Sequence, residues 1–173
     1  MMAHLGLPFK AVASKYQEAH YKQLPPARLV NFLAENKAAE VAQRYPKAII
    51  IGADTVVACR GKVFHKPKTR QEAYRTLMAL SGRVHEVYTG VCVISGEHKL
   101  VAAAKTRIYF RKLSPQGIKN YIATGEPMDK AGAYGIQGLG AGLARKVEGD
   151  FTNVVGLPLD KTRQLLRRVG VKL

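Results

Sequence analysis

Cysteine, acidic side chains and long apolar runs are all in short supply here, and each shortage narrows the field. There are two cysteines, Cys59 and Cys92, both inside apolar strand-like runs. The expectation is buried, reduced thiols in a cytoplasmic protein rather than a disulfide scaffold. No apolar stretch approaches the roughly 20 residues that span a bilayer, and MMAHLGLPFKAV has neither the basic start nor the long apolar core of a secretory signal. Repeats, low-complexity tracts and linkers are missing, so the 173 residues read as one domain, 1–173. The absence of GxxxxGK[ST] excludes a P-loop protein, and no cysteine–histidine set has zinc-site spacing. Asp and Glu number 12 against 28 Lys and Arg, a formal charge of +16. Such a field draws polyanions, either nucleic acid or a nucleoside triphosphate. The basic residues are dispersed apart from Lys161, Arg163, Arg167, Arg168 and Lys172. These read as the solvated face of a last helix over Leu165, Leu166 and Val169, so nucleic acid is not the expected main partner.

What is present alternates between helix and strand patterns. Helices are expected from about Pro26 to Tyr45, from the Thr69–Glu72 capping box to near Gly82, from Ser114-Pro115 to Gly125, and from Leu159 to Val169. Strands are expected at 48–53, 55–59 and 62–65, with Arg60-Gly61 turning between the last two, and at 86–95 and 99–110 around Gly96. Hairpins interrupt the alternation, which predicts an α/β protein with a mixed sheet.

The chemistry concentrates in two places. GEPMDKAGAYGIQG, 125–138, packs Glu126, Asp129, Lys130, Tyr134 and Gln137 among closely spaced glycines, a composition suited to close backbone approach to a ligand. Upstream, AIIIGADTVV is expected to carry Asp54 just past the end of a buried strand, where ligands gather in open α/β sheets. Asp54 reads as a general base, a metal ligand or a turn cap. Leu29, Leu33, Lys37 and Val41 fall at four-residue steps, so Lys37 lies on the core-facing stripe and must either snorkel outward or meet an anion. Lys66 precedes Pro67 after a hairpin strand; together with Lys37 it would form a phosphate clamp. Arg83 either binds phosphate or pairs with a neighbouring acid, and His85 reads better as a structural histidine than as a titrating one.

Taken together, LGLPF at 5–9, ENKA at 35–38, GADTVV at 52–57, KP at 66–67, SGRVHEVYTGV at 81–91, GEPMDKAGAYGIQG at 125–138 and NVVGLPL at 153–159 resemble the Maf family of nucleoside triphosphate pyrophosphatases. The resemblance covers nearly the whole chain. It implies an elongated, mixed α/β fold of the Maf/ITPase-like type with a central cleft, often as a homodimer. It also implies cleavage of a nucleoside triphosphate between the α and β phosphates, assisted by a divalent cation such as Mg²⁺ or Mn²⁺. The DTVV and GIQG forms resemble the branch acting on dTTP and UTP rather than the sister branch acting on 7-methyl-GTP. By position, Asp54 matches the family's general base, Lys37 and Lys66 its phosphate-contacting lysines, and Thr55 and Gln137 the positions tied to base choice. Glu18 corresponds to an acidic residue near the metal, with Asp54 as the other candidate ligand.

Family members open with a strand and an SxSPRR loop that holds the triphosphate, whereas here only MMAH precedes LGLPF. The expectation is therefore an N-terminally incomplete domain whose first-strand slot is open, filled by another segment or covered by a partner chain. The competing expectation is a weak or inactive relative that binds nucleotide or nucleic acid without turnover.

Overall fold

The computed structural model describes residues 1–17 and 24–173; Glu18 lies outside the described residues. Two compact units organise the chain, the first from 1–55, 89–104 and 156–173 and the second from 56–88 and 105–155. Strands β1 (Ile50–Cys59), β2 (Lys62–Phe64), β3 (Val84–Ser95), β4 (His98–Phe110) and β5 (Ala144–Glu148) are hydrogen-bonded in the order β2-β1-β3-β4-β5. The α/β class is as expected, but the five strands run antiparallel where a mixed sheet was expected. Two of the pairings follow from the connections: β1–β2 and β3–β4 are tight hairpins, and a hairpin reverses strand direction. At Arg60-Gly61 both φ angles are positive, 51° and 74°, and the turn pairs Cys59 with Lys62.

One difference moves the candidate site. The strands expected at 48–53 and 55–59 are a single strand, so Asp54 sits inside β1 rather than beyond its end. The strand β5 was not expected at all. It pairs along the end of β4, Arg107 with Glu148 and Ile108 with Val147.

Two of the helices start at side-chain caps. In α2 (Arg70–Leu80) the Thr69 hydroxyl accepts the Glu72 amide at 3.1 Å, while the Glu72 carboxylate reaches back to the Lys68 amide at 2.8 Å. In α3 (Pro115–Ala123) the Ser114 hydroxyl accepts from Gly117 at 3.0 Å, with Pro115 at the first helical position. A short helix α4 covers Phe151–Val155, and α5 runs from Leu159 to Arg168.

The first unit has two cores. Leu5, Val91, Val93, Leu157, Leu159, Leu165 and Leu166 bury the apolar side of α5, while Ala34, Ala38 and Val41 of helix α1 (Pro26–Arg44) pack with Ile50 and Cys92 of the sheet. That helix lies hard on the sheet because two strand glycines admit it. A Cβ on Gly52 would stand 2.6 Å from the Ala34 carbonyl oxygen, and one on Gly90 only 2.3 Å from that of Val30. The second unit is built on Val57, Leu77, Leu80, Val87, Ile108 and Ile118, with the rings of Phe110 and Tyr134 in edge-to-face contact at 4.6 Å. Both cysteines are buried and free. Among the described residues no helix is long and apolar enough to cross a membrane.

Candidate active site

In the first unit, α1 carries Lys37 onto β1, where its Nζ lies 2.5 Å from Asp54 Oδ1. The side chains are 25% and 11% exposed, so neither is swamped by solvent. Of the two outcomes open to a lysine on the core-facing stripe, this one meets an anion. Close packing of α1 over Gly52 makes the encounter geometrically available, since the lysine lies next to Ala38, which touches that glycine. A carboxylate inside a strand and an ammonium fixed to it form a compact charge pair. Such a pair can take a proton from water and neutralise a phosphate oxygen.

Thr55, the next residue on β1, shares a hydrogen bond of 2.9 Å with Thr89 of β3, and Thr89 is fully buried. A Cβ on Gly156 would approach the Thr55 hydroxyl to 3.5 Å, so the backbone there passes close by. Thr89 was not singled out from the sequence. The only available hint was its place in VYTG, a hydroxyl beside the glycine on which α1 packs.

In the second unit, Lys66 follows β2 on an exposed loop, and its charge contributes to holding the Asp129 carboxyl below its ordinary range. The larger cause is Lys130, whose Nζ is 2.5 Å from Asp129 Oδ1. Arg83 Nη1 donates to the Ala79 carbonyl at 2.6 Å at the C-terminal end of α2. His85 is 1% exposed, with Nε2 2.8 Å from the Tyr134 hydroxyl and Nδ1 buried without a partner. Burial pushes its pKa down to about 4, as befits a neutral core histidine.

The glycine-rich segment is organised by one acid. Glu126 Oε1 accepts from the Tyr121 hydroxyl at 2.9 Å and from the Gly140 amide at 3.0 Å, while Oε2 accepts from the Leu139 amide at 3.0 Å. Burial works against its charge, but these three donors and the Lys130 charge outweigh it and hold the carboxyl below its usual range. Gln137 is exposed on the loop so formed. Glu126 was legible as a polar residue of this segment, but its link to Tyr121 in the preceding helix was not.

The donors available for a divalent cation are few. Among the described residues there is no group of three or more His, Cys, Asp and Glu side chains that could hold a metal. Asp54, with Lys37 on one oxygen, offers a carboxylate of the kind by which Mg²⁺ is held, one or two of them together with substrate phosphates and water.

Residues 1–169 match the family described as Maf-like protein. Among curated relatives, the dTTP/UTP pyrophosphatase of Moorella thermoacetica is 50% identical over 173 residues, covering 99% of this chain and 89% of the relative. That of Symbiobacterium thermophilum is 47% identical over 170 residues, 98% and 88% of the two chains. The same name is borne by a Dictyoglomus thermophilum protein, 46% identical over 176 residues, 100% and 91%. With a family match over nearly its full length and relatives this similar, the chain belongs to the Maf family.

Proposed function

We propose that this protein is a nucleoside triphosphate pyrophosphatase that converts dTTP and UTP to the monophosphate and pyrophosphate. The observation that carries the reading is the Lys37–Asp54 pair at 2.5 Å, in a chain whose relatives are named dTTP/UTP pyrophosphatases. Asp54 accepts a proton from the attacking water as the new oxygen bond forms at the α-phosphorus. The bond from that phosphorus to the bridging oxygen breaks, and its electron pair leaves with pyrophosphate. Lys37 and Lys66 neutralise phosphate charge, and Thr55 and Gln137 contact the base. Asp54 would hold a divalent cation, which supplies charge neutralisation on the phosphates when bound. Glu18, the other candidate ligand, stays part of the proposal on the resemblance alone, as do a homodimeric state and a cytoplasmic setting.

Pyrophosphate release across a nucleotide panel tests this, with 7-methyl-GTP included. The expected result is turnover of dTTP and UTP that falls roughly 10²–10⁴-fold in Asp54→Asn, the range for loss of a general base, with nucleotide binding retained. Preference for 7-methyl-GTP would move the chain to the sister branch. Nucleotide-induced thermal stabilisation without any pyrophosphate release would make it a binding protein.

A further inference from the structure

Glu126 has no place in the chemistry above, yet it is the most heavily hydrogen-bonded carboxylate of the glycine-rich segment. Both its oxygens are engaged by the loop that follows: Oε1 by the Gly140 amide and Oε2 by the Leu139 amide, each at 3.0 Å. The Tyr121 hydroxyl adds a third bond at 2.9 Å and itself accepts from the Gly135 amide at 3.0 Å. One acid and one phenol thus satisfy backbone donors at 135, 139 and 140, on either side of Gln137. The fit is close. A Cβ on Gly135 would lie 3.0 Å from Glu126 Oε1, one on Gly138 3.0 Å from Oε2, and one on Gly140 2.4 Å from the Tyr121 hydroxyl. The loop backbone is therefore held at the carboxylate at several points, while the Gln137 side chain is exposed and makes no hydrogen bond to the protein among the described residues.

We infer that Glu126 is a positioning residue for nucleotide selection: with Tyr121 it fixes the backbone of 135–140 and so places the Gln137 amide where it meets the base. This rests on the reading of Gln137 as a base contact. A carboxylate suits the task because it offers acceptors to several donors at once, and charged acceptors hold amides more firmly than neutral ones. Fixing a recognition group in advance removes the cost of ordering it when ligand binds. The glycines at 135, 138 and 140 then have a second explanation besides ligand approach, since they make room for the carboxylate and the phenol.

Replacing Glu126 by Gln preserves the shape but turns an NH₂ toward donors that need an acceptor. Tyr121→Phe removes the phenol bonds and leaves the carboxylate in place. For both variants and for Gln137→Ala, kcat and KM are to be measured separately with UTP and with CTP, alongside amide hydrogen exchange at Leu139 and Gly140 and the melting temperature. In Glu126→Gln the two amides should exchange at least about 10-fold faster. The UTP-over-CTP ratio of kcat/KM should shrink by something on the order of 10–100-fold, the scale of an ångström-sized misplacement, mainly through KM for UTP. A lowered melting temperature with the ratio intact would make Glu126 merely structural and overturn the inference, as would unchanged amide exchange. If Gln137→Ala lowers the ratio and Glu126→Gln does not, the positioning role alone is wrong. If Gln137→Ala keeps the wild-type ratio, the reading of Gln137 fails, and the positioning role falls with it.

Discussion

Lys37 and His85 are both charged or chargeable groups placed against apolar structure, and they resolve that conflict in opposite ways. Lys37 meets the Asp54 carboxylate at 2.5 Å. Lys37→Met fills similar space without the ammonium. We expect KM for dTTP to rise, with a melting temperature within a few degrees of wild type; unchanged kinetics would remove Lys37 from the phosphate site. His85 instead gives up its charge. Its ordinary pKa of 6.5 is pushed down to about 4 by burial, so an unfolded chain binds a proton that the folded one refuses. The contribution is constant above about pH 6.5, falls as pH drops through the window to about 4, and levels off below it. Over that full window the loss is about 3 kcal/mol. Urea midpoints between pH 7 and 5, a range above the ordinary carboxylate pKa values, should fall in wild type. They should stay nearly flat in His85→Leu, and parallel slopes in the two proteins would place the titration elsewhere. Sequence pattern placed Lys37 on the right stripe and favoured a structural His85. It could not show that the lysine's anion is Asp54, because strand and helix meet only in three dimensions.

At the scale of elements, the legible features were those with local chemistry. Thr69 and Ser114 cap the helices they were expected to cap, and Arg60-Gly61 makes the expected turn. What escaped were elements whose stability comes from elsewhere. Strand β5, ARKVE, has no buried residue and exists through its pairing to β4. The join inside β1 was misread because Gly52-Ala53-Asp54 looks like a strand end, when Gly52 is there to admit α1. The same close approach recurs at Gly90. A methyl there would meet the backbone of Val30 at 2.3–2.4 Å and the Asn31 nitrogen at 2.7 Å, and backbone cannot swing aside as a side-chain tip can. Gly90→Ala should push α1 off the sheet at a cost of about 1–3 kcal/mol, the usual range for overpacking. Because α1 also carries Lys37, turnover should fall with stability. A control at Gly96, where nothing lies within 4 Å but φ is +55°, separates crowding from backbone strain. Equal stability loss at both positions, with turnover untouched at both, would mean that α1 is not held by contact at Gly90.

For the whole molecule the dominant quantity is charge, 28 basic against 12 acidic side chains. Several of the acids are already spent on local partners, Glu35 on Lys99, Glu40 on Arg44, Glu86 on Lys105, and Glu148 on Lys146. The uncompensated remainder is cationic. On α5 the apolar side chains Leu159, Leu165 and Leu166 are consumed by the first unit's core, which leaves Lys161, Arg167 and Arg168 exposed on its outer face. A helix used in this way has no apolar face left to insert into a bilayer, so its charge acts through solvent alone. Such a field speeds the approach of a polyanionic substrate without altering the chemical step. Raising ionic strength from about 0.01 to 0.15 M shortens the screening length from ~30 to ~8 Å. Over that range kcat/KM for UTP should fall steadily while kcat, measured at saturation, stays level. Neutralising Arg167 and Arg168 together to Gln should flatten part of the salt dependence without lowering kcat. If kcat/KM is indifferent to salt, encounter is not steered and the +16 charge serves another purpose. Competition by short RNA at low salt, relieved in the double variant, would then identify that purpose as nucleic-acid binding on the α5 face.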